Sequence, residues 1–128
     1  MPKKIINTKN APAAIGPYSQ AIAFNQLLFT AGQIPLCPET GKLVSDEIES
    51  QTRQVLENLK AVVEAGGSSL KNVVKATIFL TDLNHFAAVN QLYTEYFGDS
   101  VPARSTIQVA ALPLGSLVEI EATAVIES

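Results

Sequence analysis

The chain has one cysteine, one histidine and no tryptophan in 128 residues. Cys37 has no second cysteine with which to form an intramolecular disulfide, and Cys37 and His85 together are too few for the four-ligand set of a structural zinc site. We predict no metal site and no cofactor.

Charged residues are also scarce, at 16% of the chain, and nine basic residues face twelve acidic ones. The net charge of −3 leaves no basic surface for the phosphates of nucleic acid or for an anionic membrane. No run of eighteen apolar residues is present to span a bilayer, and the first residues lack the apolar stretch of a secretory signal. We therefore expect a cytoplasmic protein that binds no membrane and, at most weakly, nucleic acid.

Apolar residues, by contrast, make up 47% of the chain. This fraction and the length are typical of one globular domain with one core, so we predict a single domain over residues 1–128. A short strand is expected at residues 4–8. Residues 18–24 and 27–33 predict a β-hairpin that turns at Asn25 and Gln26.

Two helices are expected in the middle of the chain. The first follows Ser45 or Asp46 as the capping residue, has apolar residues at helical spacing over residues 48–63, and ends at Gly66-Gly67. After a mostly apolar strand at residues 73–80, Asp82 caps a second helix over residues 83–97. Its inward face is expected to consist of Phe86, Val89, Tyr93, Tyr96 and Phe97.

The C-terminal third alternates polar and apolar residues in two strands, at residues 101–109 and 117–125. Their link contains proline and glycine, so we predict a second hairpin with a loop longer than a tight turn. In that hairpin Arg104 would share a sheet face with Glu119 and Glu121. Such a set is either a carboxylate receptor built on the planar guanidinium or a cross-strand ion pair that contributes little stability.

These elements give the order β, β-hairpin, α, β, α, β-hairpin. We predict an α+β fold in which a mixed β-sheet carries both helices on one face, because two single apolar stripes cover one face of such a sheet. The other face would then be free for self-association.

Common catalytic patterns are missing. His85 lies beside Asp82 and Asn84 at the start of a helix and has the context of a solvated residue. Gly66-Gly67 follows a helix, as a terminator does, whereas a phosphate-binding loop precedes one. Cys37 has no adjoining cationic residue to lower its pKa.

Three blocks of sequence resemble the Rid family of imine deaminases, also called the YjgF family. They are N-A-P-A-A-I-G-P-Y-S-Q at residues 10–20, F-T-A-G-Q-I-P at 29–35, and P-A-R-S at 102–105 followed by V-E-I-E-A at 118–122. The resemblance implies a chorismate-mutase-like fold and a homotrimer with sites between subunits. It also implies hydrolysis of reactive 2-imino or 2-enamino acids, such as 2-iminobutanoate and 2-iminopropanoate, to 2-oxo acids and ammonia.

The same resemblance implies roles for individual residues. Arg104 would bind the substrate carboxylate and Glu119, rather than Glu121, would position the attacking water. Tyr18 would close the pocket from a neighbouring subunit. The backbone of Gly32 would hold the ligand.

Two further residues are expected at the substrate. Asn90 corresponds to a polar residue near the family's cleft, although a solvated helix asparagine explains it as well. Thr106 stands where several family members carry cysteine, so its hydroxyl would offer a hydrogen bond and no thiol. This difference concerns substrate preference, because hydrolysis of an electrophilic C=N bond needs no covalent nucleophile.

Two other functions stay open. The first is a regulator that binds a carboxylate metabolite through the same arginine without turning it over. The second is an endoribonuclease or translation inhibitor, as some relatives are described, and the acidic charge balance argues against it.

Overall fold

The computed structural model describes residues 2–127. Its strands are β1 (Lys4–Ile6), β2 (Ala21–Phe24), β3 (Leu27–Thr30), β4 (Val73–Leu80), β5 (Ala103–Gln108) and β6 (Val118–Val125), and its helices are α1 (Ile48–Ala65) and α2 (Phe86–Phe97). The six strands form one sheet in the order β1-β2-β3-β6-β4-β5. The β4–β5 pair is parallel, and the other recorded pairs of this sheet are antiparallel.

Both helices pack on the same face of this sheet. The apolar stripe of α1 is fully buried from Val55 to Val63, and Ile48 at its start is partly buried. The stripe shares one core with inward-facing residues of the central strands, such as Leu28, Ile78 and Ile120. On α2, Val89, Leu92, Tyr93 and Phe97 join the same core. The predicted α+β fold, with a mixed sheet and two helices on one face, is confirmed.

The opposite face carries no helix and exposes large apolar side chains. Alternation along β2 and β3 places Phe24, Leu27 and Phe29 there, each 39 to 44% exposed, because Ala23 and Leu28 between them face the core. We call this side of the sheet the open face.

The N-terminal hairpin turns at Asn25 and Gln26 as predicted, but its strands, Ala21–Phe24 and Leu27–Thr30, are shorter than the expected 18–24 and 27–33. Phe24 pairs with Leu27 across the two-residue turn, and Asn25 has a positive φ of 56°. Asparagine tolerates this left-handed conformation better than most residues, so the local sequence favours the turn.

The helix ends differ in detail from the prediction. Helix α1 begins after Glu47, with no side-chain cap, while the Ser45 hydroxyl accepts a hydrogen bond from the Glu47 N–H. Asp82 does act as a cap, but for a 3₁₀ turn at Leu83–His85 that precedes α2. None of the helices within residues 2–127 combines the length and the apolar character needed to cross a membrane.

The predicted C-terminal hairpin is wrong. Strands β5 and β6 do not pair with each other, because β4 lies between them and pairs with both. Helix α2 forms the crossover that brings β5 parallel to β4, and residues 109–117 then pass over the end of β4 to reach β6. A nine-residue link is long enough for this path. Its length therefore allows β6 to pair with β4 instead of with β5.

Two buried amides of α1 fix the segments on which the candidate residues lie. Gln51 accepts a hydrogen bond from the Leu117 N–H at 2.8 Å, immediately before β6. Asn58, fully buried, donates to the carbonyls of Ile34 and Leu36. A buried amide without partners is costly, so these bonds hold both segments against α1.

Candidate functional site

Arg104 lies on the helix-covered face of the edge strand β5. Its Cα partner is Ala76, which is buried, and partners in adjacent strands share a sheet face. The guanidinium carbon lies 4.9 Å from the centre of the Tyr93 ring and 5.4 Å from that of Phe86, both on α2. An arginine over aromatic rings is attracted by their negative faces.

Thr106 lies on the same face, two residues further along β5, opposite the buried Ile78. Its hydroxyl oxygen is buried and has no hydrogen-bond partner within residues 2–127. Most buried polar groups have a partner, so such an atom calls for an explanation.

Asn90 lies on α2 between the two aromatic residues that contact Arg104. It follows Phe86 by four residues and precedes Tyr93 by three, which places all three on one side of the helix. The structure thus brings Arg104, Thr106 and Asn90 to the same region, which we call the arginine side.

Glu119 lies on the open face of β6. Its Cα partner is Phe79, whereas its neighbours Val118 and Ile120 are fully buried in the core. The side chain crosses Gly32, where an added Cβ would lie 2.7 Å from the Glu119 Cδ. Glycine is therefore required for this close approach, and Gly32 and Glu119 form a second region, the glutamate side.

The environment of Glu119 favours the protonated carboxyl. Burial raises the pKa of Glu119 above its ordinary value, and the negative charge of Glu121 raises it further. A carboxylate with a raised pKa is a stronger base than a solvated one, which suits proton abstraction from water.

Tyr18 stands in the loop before β2, and its side chain is 49% exposed. Its hydroxyl accepts a hydrogen bond from the Ile15 N–H at 3.3 Å. The ring lies at the surface of the chain. Within residues 2–127 no recorded hydrogen bond joins the Tyr18 hydroxyl to Arg104 or Glu119.

The expectation that Arg104 shares a face with Glu119 and Glu121 is wrong. Arg104 faces the helices, and both glutamates face away from them. Alternation divides each strand into two faces, but the intervening strand β4 determines how the faces of β5 and β6 correspond. The cross-strand ion pair is excluded for the same reason.

The sequence pattern did not predict that Phe86 and Tyr93 lie beside Arg104. Both were assigned to the inward face of α2, and Tyr93 is indeed 3% exposed. An aromatic stripe at helical spacing is typical of core packing, so nothing in the pattern marks a ring that contacts a cation.

The remaining candidates add little chemistry. Among residues 2–127 no group of three or more His, Cys, Asp or Glu side chains is placed to hold a metal ion. The pKa of Cys37 is lowered, chiefly by hydrogen bonds from the backbone of Thr40 and Glu39. The pKa of this thiol is therefore lowered although no cationic residue adjoins it in sequence. Cys37 lies against the outer side of α1, beside a cavity of about 730 Å³.

The chain is similar over nearly its full length to proteins of known name. The chain is 56% identical over 122 residues to a RutC family protein of Pyrococcus horikoshii, covering 95% of this chain and 97% of that protein. It is 49% identical over 123 residues to the 2-iminobutanoate/2-iminopropanoate deaminase of Mus musculus, covering 96% of this chain and 91% of that protein.

A solved structure agrees with the fold. Escherichia coli TdcF with bound serine superimposes with a TM-score of 0.92 at 46% identity, over 97% of this chain and 99% of that one. The family described as endoribonuclease L-PSP matches residues 8–126. Sequence, fold and the three motifs therefore agree that the chain belongs to this family, which is also known as the Rid or YjgF family.

Proposed function

We propose that this chain is a hydrolytic deaminase of reactive 2-imino and 2-enamino acids, with 2-iminobutanoate and 2-iminopropanoate as substrates. The observation that carries the proposal is the environment of the Arg104 guanidinium. Within residues 2–127 this guanidinium has no recorded carboxylate partner, and it rests on two aromatic rings. Its forked N–H donors are therefore available to a ligand carboxylate, which they match in a bidentate geometry.

The relatives support this substrate class. The mouse relative is named for deamination of these two imino acids, and the Escherichia coli structure contains serine, an amino acid with the same carboxylate. Both share about half of their residues with this chain over nearly its full length.

In the proposed reaction Arg104 binds the carboxylate of the imino acid. Glu119 orients a water molecule and takes its proton as the oxygen attacks the C=N carbon. The resulting tetrahedral carbinolamine loses ammonia after proton transfer to nitrogen and leaves the 2-oxo acid. No covalent nucleophile and no cofactor are needed.

The other candidate residues complete the pocket. Asn90, on the arginine side, provides a hydrogen bond to the ligand, and the Thr106 hydroxyl, which is buried in the single chain, reaches the ligand after rotation of its side chain. Because Gly32 has no side chain, the ligand can lie beside Glu119 and bind the backbone of Gly32. Tyr18 closes the pocket and offers its hydroxyl.

The site requires two copies of the chain. Arg104 and Glu119 face opposite sides of one sheet, so a ligand held by both must lie between the arginine side of one copy and the glutamate side of another. The exposed apolar residues of the open face, among them Phe24, Phe29 and Ile107, supply an association surface. We propose a homotrimer of single-domain chains, with the number three taken from the family resemblance.

The direct test is a coupled assay. Threonine dehydratase releases 2-aminocrotonate, which tautomerises to 2-iminobutanoate, and the purified chain should accelerate both the loss of imine absorbance and the release of ammonia. Unchanged rates over a wide range of chain concentration, with 2-oxobutanoate still binding, would identify a non-catalytic regulator instead.

The family description itself favours one further candidate, an endoribonuclease. With net charge −3 the chain has few cations to displace counterions from RNA, so we expect weak, non-specific binding at physiological salt. RNA cleavage that co-purifies with the chain through several columns and is lost in Glu119→Gln, together with no acceleration of imine loss in the coupled assay, would overturn the deaminase proposal.

A further inference from the structure

Within residues 2–127, two aromatic rings and no recorded acidic side chain support the guanidinium of Arg104. The ion pair recorded within residues 2–127 joins Arg53 and Glu95 on the helices and does not involve Arg104. An acidic partner would fix Arg104 but would also occupy its N–H donors. Aromatic rings attract the cation without supplying a competing acceptor for those donors.

Tyr93 provides a rigid and neutral support. It is 3% exposed and packs against Phe97 with ring centres 4.4 Å apart. Burial raises the pKa of Tyr93 to about 12, although Arg104 acts in the opposite direction. Tyr93 therefore stays a neutral phenol at physiological pH and does not neutralise the cation.

Phe86 provides the second ring, and its position is tied to the strand that carries Arg104. Phe86 is the first residue of α2, directly after the 3₁₀ turn. The Leu83 N–H in that turn donates to the Gln108 side-chain oxygen at 2.9 Å. Gln108 lies on β5 four residues after Arg104 and therefore on the same face. The hydrogen bond to Gln108 thus attaches the start of α2 to the strand that carries Arg104.

We propose that Phe86 and Tyr93 are positioning residues for the carboxylate receptor: they hold the Arg104 guanidinium in the orientation that binds the substrate. The inference rests on the deaminase function proposed above and adds the residues that pre-organise its arginine. An arginine side chain free to rotate would have to be ordered at each binding event, and the rings remove part of that cost.

Phe86 is the better residue for a test, because it is 41% exposed and its replacement leaves the core intact. Phe86→Leu keeps an apolar side chain and removes the ring, whereas Phe86→Tyr keeps an aromatic ring. We expect Phe86→Leu to raise both the KM for 2-iminobutanoate and the Kd for 2-oxobutanoate by about three- to tenfold, with kcat within about twofold of wild type. Phe86→Tyr should return both constants to within about twofold of wild type.

A spectroscopic measurement separates positioning from a general structural effect. The chain has two arginines, Arg53 and Arg104, so ¹⁵N-arginine labelling gives two Nε–H signals, which Arg104→Lys assigns. In Phe86→Leu the Arg104 signal should shift, because a ring current is lost, and the Arg53 signal should stay in place.

The outcomes are distinguishable. If wild type neither deaminates the imine nor binds 2-oxobutanoate, the proposed function fails and this inference fails with it. If Arg104→Lys weakens binding of 2-oxobutanoate while Phe86→Leu leaves KM, Kd and the Arg104 signal unchanged, the function stands and the positioning role is wrong.

Discussion

Arg104 and Glu119 extend from opposite faces of the same sheet, although one strand alone, β4, separates the strands that carry them. Arg104 is paired with Ala76 and faces α2, whereas Glu119 is paired with Phe79 and lies on the open face. If Arg104 and Glu119 act on one ligand, as proposed above, that ligand must lie between two chains.

Replacement of Arg104 by lysine keeps the charge and the attraction to the rings but loses the planar fork. Loss of a charge-assisted bidentate contact costs about 1.5 to 3 kcal/mol, so kcat/KM of Arg104→Lys should fall about ten- to a hundredfold. Thermal unfolding should change little, because the ion pair recorded within residues 2–127 does not involve Arg104. A wild-type kcat/KM on both imino acids would remove Arg104 from the site.

Two impaired variants should complement each other. In a trimer reassembled from equal amounts of Arg104→Lys and Glu119→Gln chains, about one site in four receives both intact residues, because each residue comes from a different chain. The mixture should recover about a quarter of the wild-type activity. Mixing without prior dissociation is the control. If reassembled mixtures stay as impaired as the separate variants, both residues belong to one chain's site and the arrangement between subunits is wrong.

The parts of the fold that depend on local sequence could be predicted. The turn at Asn25 and the apolar stripe of α1 follow from conformational preference and periodicity within one segment. The neighbour of β5 does not, because alternation is the same whether β5 pairs with β6 or with β4. Because the predicted neighbour of β5 was wrong, Arg104 was predicted to lie on the same face as Glu119.

The candidate site shows the same limit. The proximity of Gly32 and Glu119 joins residues far apart in sequence, and only the family motifs suggested that they act together. The rings beside Arg104 were visible as an apolar stripe, but their contact depends on how α2 crosses β5. That crossing is set by packing of the whole core, which no single segment encodes.

Gly32→Ala should separate activity from stability. The new methyl group would meet the Glu119 carboxylate, the flexible end of a side chain, so Glu119 would turn aside at little cost in folding. The φ of Gly32 is not in the left-handed region, so alanine fits the backbone. We expect kcat to fall at least about tenfold, as for a displaced general base, while the free energy of unfolding changes by less than about 1 kcal/mol.

Gly66→Ala is the matched control for that experiment. Its methyl group would lie 2.6 Å from both terminal methyl carbons of the fully buried Leu28. Overpacking of this kind costs about 1 to 3 kcal/mol, with kcat per folded chain unchanged. Equal losses of stability in the two variants, with equal activity, would contradict the role assigned to Gly32.

Thr106→Val tests the buried hydroxyl on the arginine side. Valine keeps the branched shape that suits a strand and removes an oxygen that has no partner within residues 2–127. Urea denaturation should show unchanged stability or a gain of up to about 1 kcal/mol, because an unpartnered buried hydroxyl is unfavourable. If the hydroxyl serves the ligand, kcat/KM should nevertheless fall about three- to tenfold, and Thr106→Ser should restore it. Full activity in Thr106→Val would exclude the hydroxyl from substrate binding.

The pH dependence of the reaction should report the ionisation of Glu119. Burial and the charge of Glu121 raise the pKa of Glu119, and the carboxylate acts as a base only when it is ionised. After subtraction of spontaneous hydrolysis, kcat/KM should therefore rise with pH and level off above the raised pKa. It should fall about tenfold per pH unit below that pKa.

Two variants assign this acidic limb. Glu121→Gln removes the neighbouring negative charge, so the pKa of Glu119 should fall and the limb should move to lower pH. Glu119→Gln should abolish the limb together with most of kcat. Because a raised carboxyl pKa in the folded state costs stability once the group ionises, Glu119→Gln should be at least as stable as wild type at neutral pH, and this advantage should vanish in acid. An acidic limb that persists unchanged in Glu119→Gln would show that another group activates the water.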